Sequence, residues 1–339
     1  MKPKTFPSII LAVALSASFF TIQLSAEFKA QKDISYGPHE RNLLDVYWDT
    51  EYKNAPIVFT IHGGGFRFGD KAYCNKDMIK LYMSKGCIVV SPNYRLLKIG
   101  TGVSIKDCVI DSAMAVAYIQ EHAEKYGGNP KRIISTGASA GGFISAWIAY
   151  NDNWEWPAFA KYKPKKLNIV GWFGNSPGLP PNIINLVNSG DPPGFVMFGG
   201  KKEHPKTPAS MGHAMQAMLK KNKVWSKMVY IDSMGHVPAK RILFSPKTRD
   251  KETYTAFNEF LDMVCHKQGD PKGGDVINVK FLDPSVRKTC PVEPSDEGRE
   301  NPLIVTLPLP LAANSKLSLD SPIVLEDVLI LFLENLLFE

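Results

Sequence analysis

The stretch Arg132-Ile133-Ile134-Ser135-Thr136-Gly137-Ala138-Ser139-Ala140-Gly141-Gly142-Phe143-Ile144-Ser145-Ala146-Trp147 constrains this chain more than any other. Its first half is a short apolar run of the kind that builds a buried strand, and its end carries an apolar helical spacing that begins right after the small residues. Between them lies Gly137-x-Ser139-x-Gly141. A serine at such a strand-to-helix corner needs glycine or alanine around it, because the backbone turns too sharply to leave room for side chains. Its hydroxyl is then lifted clear of the sheet. The first N–H groups of the following helix face the same way, so Ser139 lies where partial positive charge favours a developing oxyanion. Alone, the pattern also describes an ordinary glycine-rich turn.

A second motif adds to it. His62-Gly63-Gly64-Gly65-Phe66 follows directly on the apolar run Ile57-Val58-Phe59-Thr60-Ile61. Three consecutive glycines after a buried strand leave bare backbone amides able to approach a bound carbonyl oxygen, one half of an oxyanion hole. Gly64 and Gly65, with Ala140 beside the serine, are the candidate donors.

The rest of the chain alternates short apolar runs with amphipathic ones. Residues 33–37 and 43–48 read as an edge hairpin, followed by strand 57–61, helix 77–85 and strand 87–91. Ser104 to Tyr126 has near-3.6 apolar spacing and is stopped by Gly127-Gly128. After strand 133–136 and helix 141–150 come an aromatic loop over 151–166, strand 167–173 and a long loop over 174–193. Loops of that length are usually functional. Strand 195–198, helix 208–221, strand 228–231 and helix 251–266 complete the series. Such alternation predicts a mostly parallel sheet with helices on both faces, whose ligands bind at the carboxyl ends of the strands, where both motifs fall.

His62 to Phe66, Asn93-Tyr94-Arg95-Leu96, Tyr126 to Ile133, Gly137 to Gly142 and Gly235-His236 occur in an order and spacing that resemble the α/β-hydrolase fold. Within it the chain is similar to the HGGG-bearing esterases and lipases, the group of hormone-sensitive lipase and of feruloyl and acetyl-xylan esterases. The likeness covers roughly residues 33 to 265, and it implies a serine nucleophile assisted by a histidine and an acid.

An alcohol is a poor nucleophile at neutral pH, so Ser139 needs a base within reach and the base an orienting acid. Of the seven histidines, His236 follows the last expected strand, where the resemblance places the base. The resemblance also puts the acid after strand 195–198. Relatives carry Asp three residues beyond a glycine there, whereas Gly200-Lys201-Lys202-Glu203 offers Glu203. Asp191 and Asp232 are alternatives, and Glu203 also reads as a solvated loop residue beside two lysines. Phe66, Trp154 and Trp156 are candidates for lining the substrate, since flat rings stack on sugars and phenolic acids. Trp154 and Trp156 equally read as loop aromatics packing onto the domain.

At 339 residues the chain holds one large catalytic unit with extras. Its charge of +7 is spread, with no basic block interleaved with aromatics, so no nucleic-acid partner is expected. No metal or cofactor is implied. Lys2 and Lys4, the apolar run Ile9 to Phe20 and Leu24-Ser25-Ala26 form the three parts of a secretory signal over residues 1–26. The run is too short for a bilayer span, so no stable membrane span after cleavage is expected, and the destination is secreted or periplasmic. Residues 27–266 form the catalytic domain. Residues 267–339 are a linker, polar as far as Asn301, and an extension whose segment Ile323 to Phe338 suits a docking helix, a dimer contact or a loose tail. Oligomeric state stays open. Five cysteines, at 74, 87, 108, 265 and 290, leave at least one thiol unpaired in a monomer, and Cys87 and Cys108 read as buried hydrophobes.

The expected activity is that of a secreted serine carboxylesterase acting through an acyl-enzyme on Ser139. Its substrate is a small-molecule or polysaccharide ester, with acetylated or feruloylated carbohydrate in view. Two alternatives are a serine peptidase of the prolyl-oligopeptidase type and a non-catalytic hydrolase-like binding protein.

Overall fold

In the computed structural model, which describes residues 27–201, 204–267 and 276–279, the chain opens with the antiparallel pair β1 (Phe28–Ser35) and β2 (Leu43–Asp49). Strand β3 (Ala55–Ile61), helix α1 (Lys76–Ser84), strand β4 (Ile88–Pro92) and helix α2 (Ile105–His122) come next. Strand β5 (Gly128–Ala138), helix α3 (Ala140–Tyr150), strand β6 (Ile169–Asn175) and the short helix α4 (Pro181–Ile184) follow. Strand β7 (Gly194–Gly199), helix α5 (Ala209–Lys221), strand β8 (Ser226–Ile231), helix α6 (Lys251–His266) and strand β9 (Val276–Val279) end the series.

All nine strands form one sheet in the order β1-β2-β4-β3-β5-β6-β7-β8-β9. Pairing is parallel from β4 onward along that order, and only β1 with β2 and β2 with β4 run antiparallel. Side chains alternate between the two faces of a strand. Ile57, Phe59 and Ile61 accordingly join the core beneath α2, α3 and α5, while Val58 joins the one beneath α1 and α6. Ile133 and Ile134 divide the same way. A strand buried on both faces favours apolar residues throughout, so β3 reads as a hydrophobic run broken only by buried Thr60, and the centre of β5 carries Ile133 and Ile134. This is the α/β-hydrolase fold. Helix α2 starts where Ser104 caps it, its hydroxyl accepting from Asp107 N at 3.2 Å while Asp107 accepts from Ser104 N at 2.8 Å.

The structure corrects three expectations. Strand β1 begins at Phe28 rather than Asp33, with a register shift between Gln31 and Ile34 that breaks the simple alternation. The stretch 174–193, expected as loop throughout, contains α4, started by Pro181 at its first position. The expected linker after residue 266 contains β9, which pairs in parallel with β8 from Val276 to Val279. Four residues, three of them β-branched, suffice to add an edge strand, and the polar surroundings hid them. The leader 1–26, Lys202, Glu203 and the 323–338 segment lie outside the described residues. Among the described residues no helix is long and apolar enough to cross a membrane.

Candidate active site

Ser139 stands alone between β5 and α3, half-buried where both neighbours are buried, with φ 53° and ψ −120°. A non-glycine residue there costs of order 1–3 kcal/mol and persists only when its surroundings fix it. They do. Ser139 N–H donates to the Asn175 carbonyl at 3.0 Å, and Phe143 N–H closes the first turn of α3 onto the Ser139 carbonyl at 3.0 Å. The small residues of the motif are steric necessities. A Cβ on Gly141 would collide with the carbonyl oxygens of Ile61 and His62 at the end of β3, and one on Gly137 with the carbonyl of Gly141.

That close approach brings the triple-glycine turn beside the serine. A Cβ added to Gly63 would lie 3.2 Å from the Ser139 Cβ. Gly64 (φ 106°) and Gly65 (φ 57°) adopt backbone that L side chains avoid, and Gly64 O accepts from the N–H groups of Arg67 and Phe68 at 3.0 and 2.9 Å. The N–H groups of Gly64, Gly65 and Ala140 have no acceptor among the described residues, so all three candidate donors are available.

The turn is braced from below. The His62 ring stacks on Tyr94, centroids 4.3 Å apart, and Tyr94 Oη–H donates to His62 O at 3.0 Å. His62 Nδ1 lies 2.8 Å from the Gly63 carbonyl, which only accepts, so that nitrogen carries the proton. Burial lowers the His62 pKa to about 4, which keeps the ring neutral. Arg41 ties the segment in from the edge hairpin, donating to Tyr94 O at 2.8 Å and to Gly69 O at 3.0 Å. Arg95 forms a two-pronged pair with fully buried Asp111, both bonds 2.8 Å. The Asn93 to Leu96 segment thus holds the glycine turn.

His236 follows β8. Its Nδ1 lies 3.2 Å from Thr207 Oγ1, and its ring stacks on His204 with centroids 4.5 Å apart. Burial, with a lesser contribution from His204, lowers its pKa to about 4. A neutral imidazole is the form a general base requires. Sequence reasoning missed how this loop meets the elbow. Val237 N–H donates to Ser176 Oγ at 3.1 Å and Ala239 N–H to Asn175 Oδ1 at 3.3 Å. Since Asn175 O also holds Ser139 N–H, one dipeptide at the end of β6 fastens both the nucleophile and the histidine loop. The only signal was the turn-forming cluster Gly174 to Gly178 directly after a strand.

Phe66, Ser139, Ser176 and Val237 are four of the eight non-glycine residues at positive φ among the described residues, and all four belong to these loops. Left-handed backbone is most costly for a β-branched residue such as Val237, so strain is concentrated where the loops converge.

The other candidates divide. Phe66 meets Phe143 of the first α3 turn edge-on at 5.3 Å, beside Ser139. Trp154 and Trp156 instead stack on each other at 5.5 Å, Trp156 Nε1–H donates to Pro164 O at 2.9 Å, and intervening Glu155 pairs with Lys106 of α2. Their loop leaves the far end of α3, eleven residues or about 16 Å along the helix from the elbow, and both rings are partly buried against the core. Glu203 lies outside the described residues. Asp191 precedes β7 at the amino ends of the strands, near the charges of Asp152 and Lys166, at the opposite end of the parallel strands from His236. Asp232 is exposed directly after β8, against Gly200.

Known proteins share the fold and the family of this chain. The BD-FAE family pattern matches residues 44–239, more than half of the chain and all of both motifs. A probable carboxylic ester hydrolase, LipM of Mycobacterium tuberculosis, is 32% identical over 39% of this chain and 31% of its own. A probable isoprenylcysteine α-carbonyl methylesterase of Oryza sativa is 30% identical over 53% of this chain and 43% of its own. The chain thus spans less than half the length of either relative. The butyrate-bound esterase of Thermogutta terrifontis superposes with a TM-score of 0.57 at 18% identity, covering 72% of this chain and 96% of its own. A truncated carbohydrate esterase from gut microbiota gives 0.56 at 16% identity, over 70% of this chain and 94% of its own. At such identities these two likenesses speak for the shared fold.

Proposed function

This chain belongs to the BD-FAE family of α/β-hydrolase esterases, and from that premise we propose that it is an exported serine carboxylesterase working through an acyl-enzyme on Ser139. One observation carries the reading: Ser139 is held at positive φ beside Gly63, with the N–H groups of Gly64, Gly65 and Ala140 left without acceptors among the described residues.

His236, neutral because it is buried, takes the proton of Ser139 as the hydroxyl oxygen attacks the ester carbonyl carbon. The oxyanion of the tetrahedral intermediate accepts hydrogen bonds from Gly64, Gly65 and Ala140. Each such donor typically contributes about 3–4 kcal/mol of transition-state stabilisation. Collapse expels the alcohol, which leaves with the proton from His236, and the acyl group stays on Ser139. Water deprotonated by His236 then releases the acid. We assign Glu203 as the acid that orients the imidazole, because it follows β7 and lies just ahead of Thr207, the hydroxyl on His236 Nδ1.

For substrate, an acylated carbohydrate is the finer form of the proposal. The leader-like N-terminus and the resemblance to feruloyl and acetyl-xylan esterases support it. Trp154 and Trp156 do not carry it, since their rings stack on each other and are partly buried against the core. Hydrolysis of p-nitrophenyl acetate by the wild type and by Ser139→Ala tests the core of this reading. The variant should fold normally and lose activity by about 10⁴-fold or more; retention of most of the activity would remove Ser139 from the reaction. Comparing acetylated and feruloylated saccharides with simple alkyl esters and aminoacyl-proline amides then resolves substrate class.

A further inference from the structure

At the amino ends of the strands, away from the candidate active site, the last turn of α6 is clamped onto the connection between α1 and β4. Lys85 Nζ pairs with the Asp262 carboxylate at 3.1 Å. His266 Nε2 lies 2.8 Å from the Lys85 carbonyl, which makes that nitrogen the donor, and Arg132 donates to Cys265 O at 2.7 Å. Within this clamp the sulfurs of Cys87 and Cys265 lie 3.5 Å apart, and both residues are fully buried. The proposed ester hydrolysis uses neither thiol.

We propose that Cys87 and Cys265 are a disulfide site, joined by a small disulfide oxidant of the glutathione class in an oxidising compartment. Bonded sulfurs stand about 2.05 Å apart, so the two must close by about 1.5 Å, shared between two side chains already in contact. One thiolate attacks the oxidant's S–S bond, forming a mixed disulfide and releasing one small thiol. The second protein thiolate attacks that mixed disulfide at the protein sulfur and expels the other small thiol. Two protein thiols are thereby oxidised, losing two protons and two electrons, and the oxidant is reduced to two thiols.

The other described cysteines offer no competing pair. Cys108 Sγ donates to the carbonyls of Arg95 and Ser104, and Cys74 lies buried beside the first strands of the sheet. The Cys265 contact and burial hold the Cys87 thiol well above the usual thiol range. Oxidation of the closed fold is therefore slow, and the bond forms while α6 is still docking. Because the partners are 178 residues apart, the bond restricts most of the unfolded chain. It would fasten the last described helix to the sheet beside the point where the chain leaves toward β9.

The test starts from the full chain, denatured and reduced, then refolded either in a mixed oxidised and reduced glutathione buffer or in excess dithiothreitol. After unfolding and alkylation, a non-reducing peptide map of the glutathione-refolded protein should contain a peptide pair joining Cys87 to Cys265, with alkylated Cys74 and Cys108. The oxidised protein should melt about 5 °C or more above the reduced one. That difference should vanish in Cys265→Ser, whose ester hydrolysis should match that of the reduced wild type. Alkylation of both Cys87 and Cys265 in the glutathione-refolded wild type overturns the proposal, as does a map joining either to a different cysteine. The wild-type map decides the matter even where the variant folds poorly.

Discussion

His62 and His236 occupy the carboxyl ends of strands in one sheet, and burial lowers both to a pKa of about 4, yet they are held in opposite ways. His62 is 1% exposed, stacked on Tyr94 and bonded to the carbonyl of its own neighbour, and its other nitrogen is sealed in without a partner among the described residues. His236 is half-buried on a loop that includes strained Val237, with a threonine hydroxyl on one nitrogen and a second imidazole against its face. Low basicity therefore reports burial and says little about role. Role follows from what each ring can reach: the first supports a turn, and the second is fastened to the same dipeptide as the nucleophile.

The sharpest way to break that contrast is to remove each ring. His236→Ala should lower kcat/KM for a p-nitrophenyl ester by about 10⁴-fold or more with little change in Tm. His62→Ala leaves a void under the glycine turn, so its main effect should be a lower Tm, accompanied by an activity loss of about 10²-fold as the oxyanion donors shift. Equal activity losses with unchanged Tm in both variants would erase the distinction. Next in size is Tyr94→Phe, which deletes the donor to His62 O. A buried carbonyl losing its partner costs about 1–3 kcal/mol, read as a lower denaturation midpoint, and activity should fall only a few-fold.

The smallest effect concerns pH. His236 acts as base only when neutral, and with its pKa depressed to about 4 the acid limb of kcat/KM should lie well below pH 6.5. Since burial and the charge of His204 both contribute to that depression, His204→Ala should move the limb upward. A wild-type limb centred at pH 6.5 would mean that the imidazole is solvated and that burial lowers the basicity of His62 alone.

What could be read from residues alone was what sterics dictate locally. Gly137 and Gly141, flanking Ser139, announce an elbow because a Cβ on either would strike backbone, of the helix start or of the end of β3, and the glycines after Ile61 announce bare amides for the same kind of reason. The alternation of apolar runs conveyed the layered sheet. Contacts between distant segments left no local mark. Asn175 and Ser176 look like any turn after a strand, although they fasten Ser139 to the His236 loop. Val276 to Val279 disappear in polar surroundings, since an edge strand needs only a few residues and a willing neighbour in β8. Trp154 and Trp156 were ambiguous for a different reason: an aromatic loop has the same composition whether its rings meet a ligand or, as these do, each other.

The central claim is that one serine, strained at the end of β5, is a nucleophile activated by its surroundings. Incubation of the purified protein with a fluorophosphonate probe, followed by peptide mapping of the adduct, tests it most directly, because only an activated hydroxyl reacts. The account predicts a single covalent adduct on Ser139, abolished in His236→Ala and unaffected by Cys265→Ser. A folded protein that takes up no probe, or carries it on a residue other than Ser139, would contradict it.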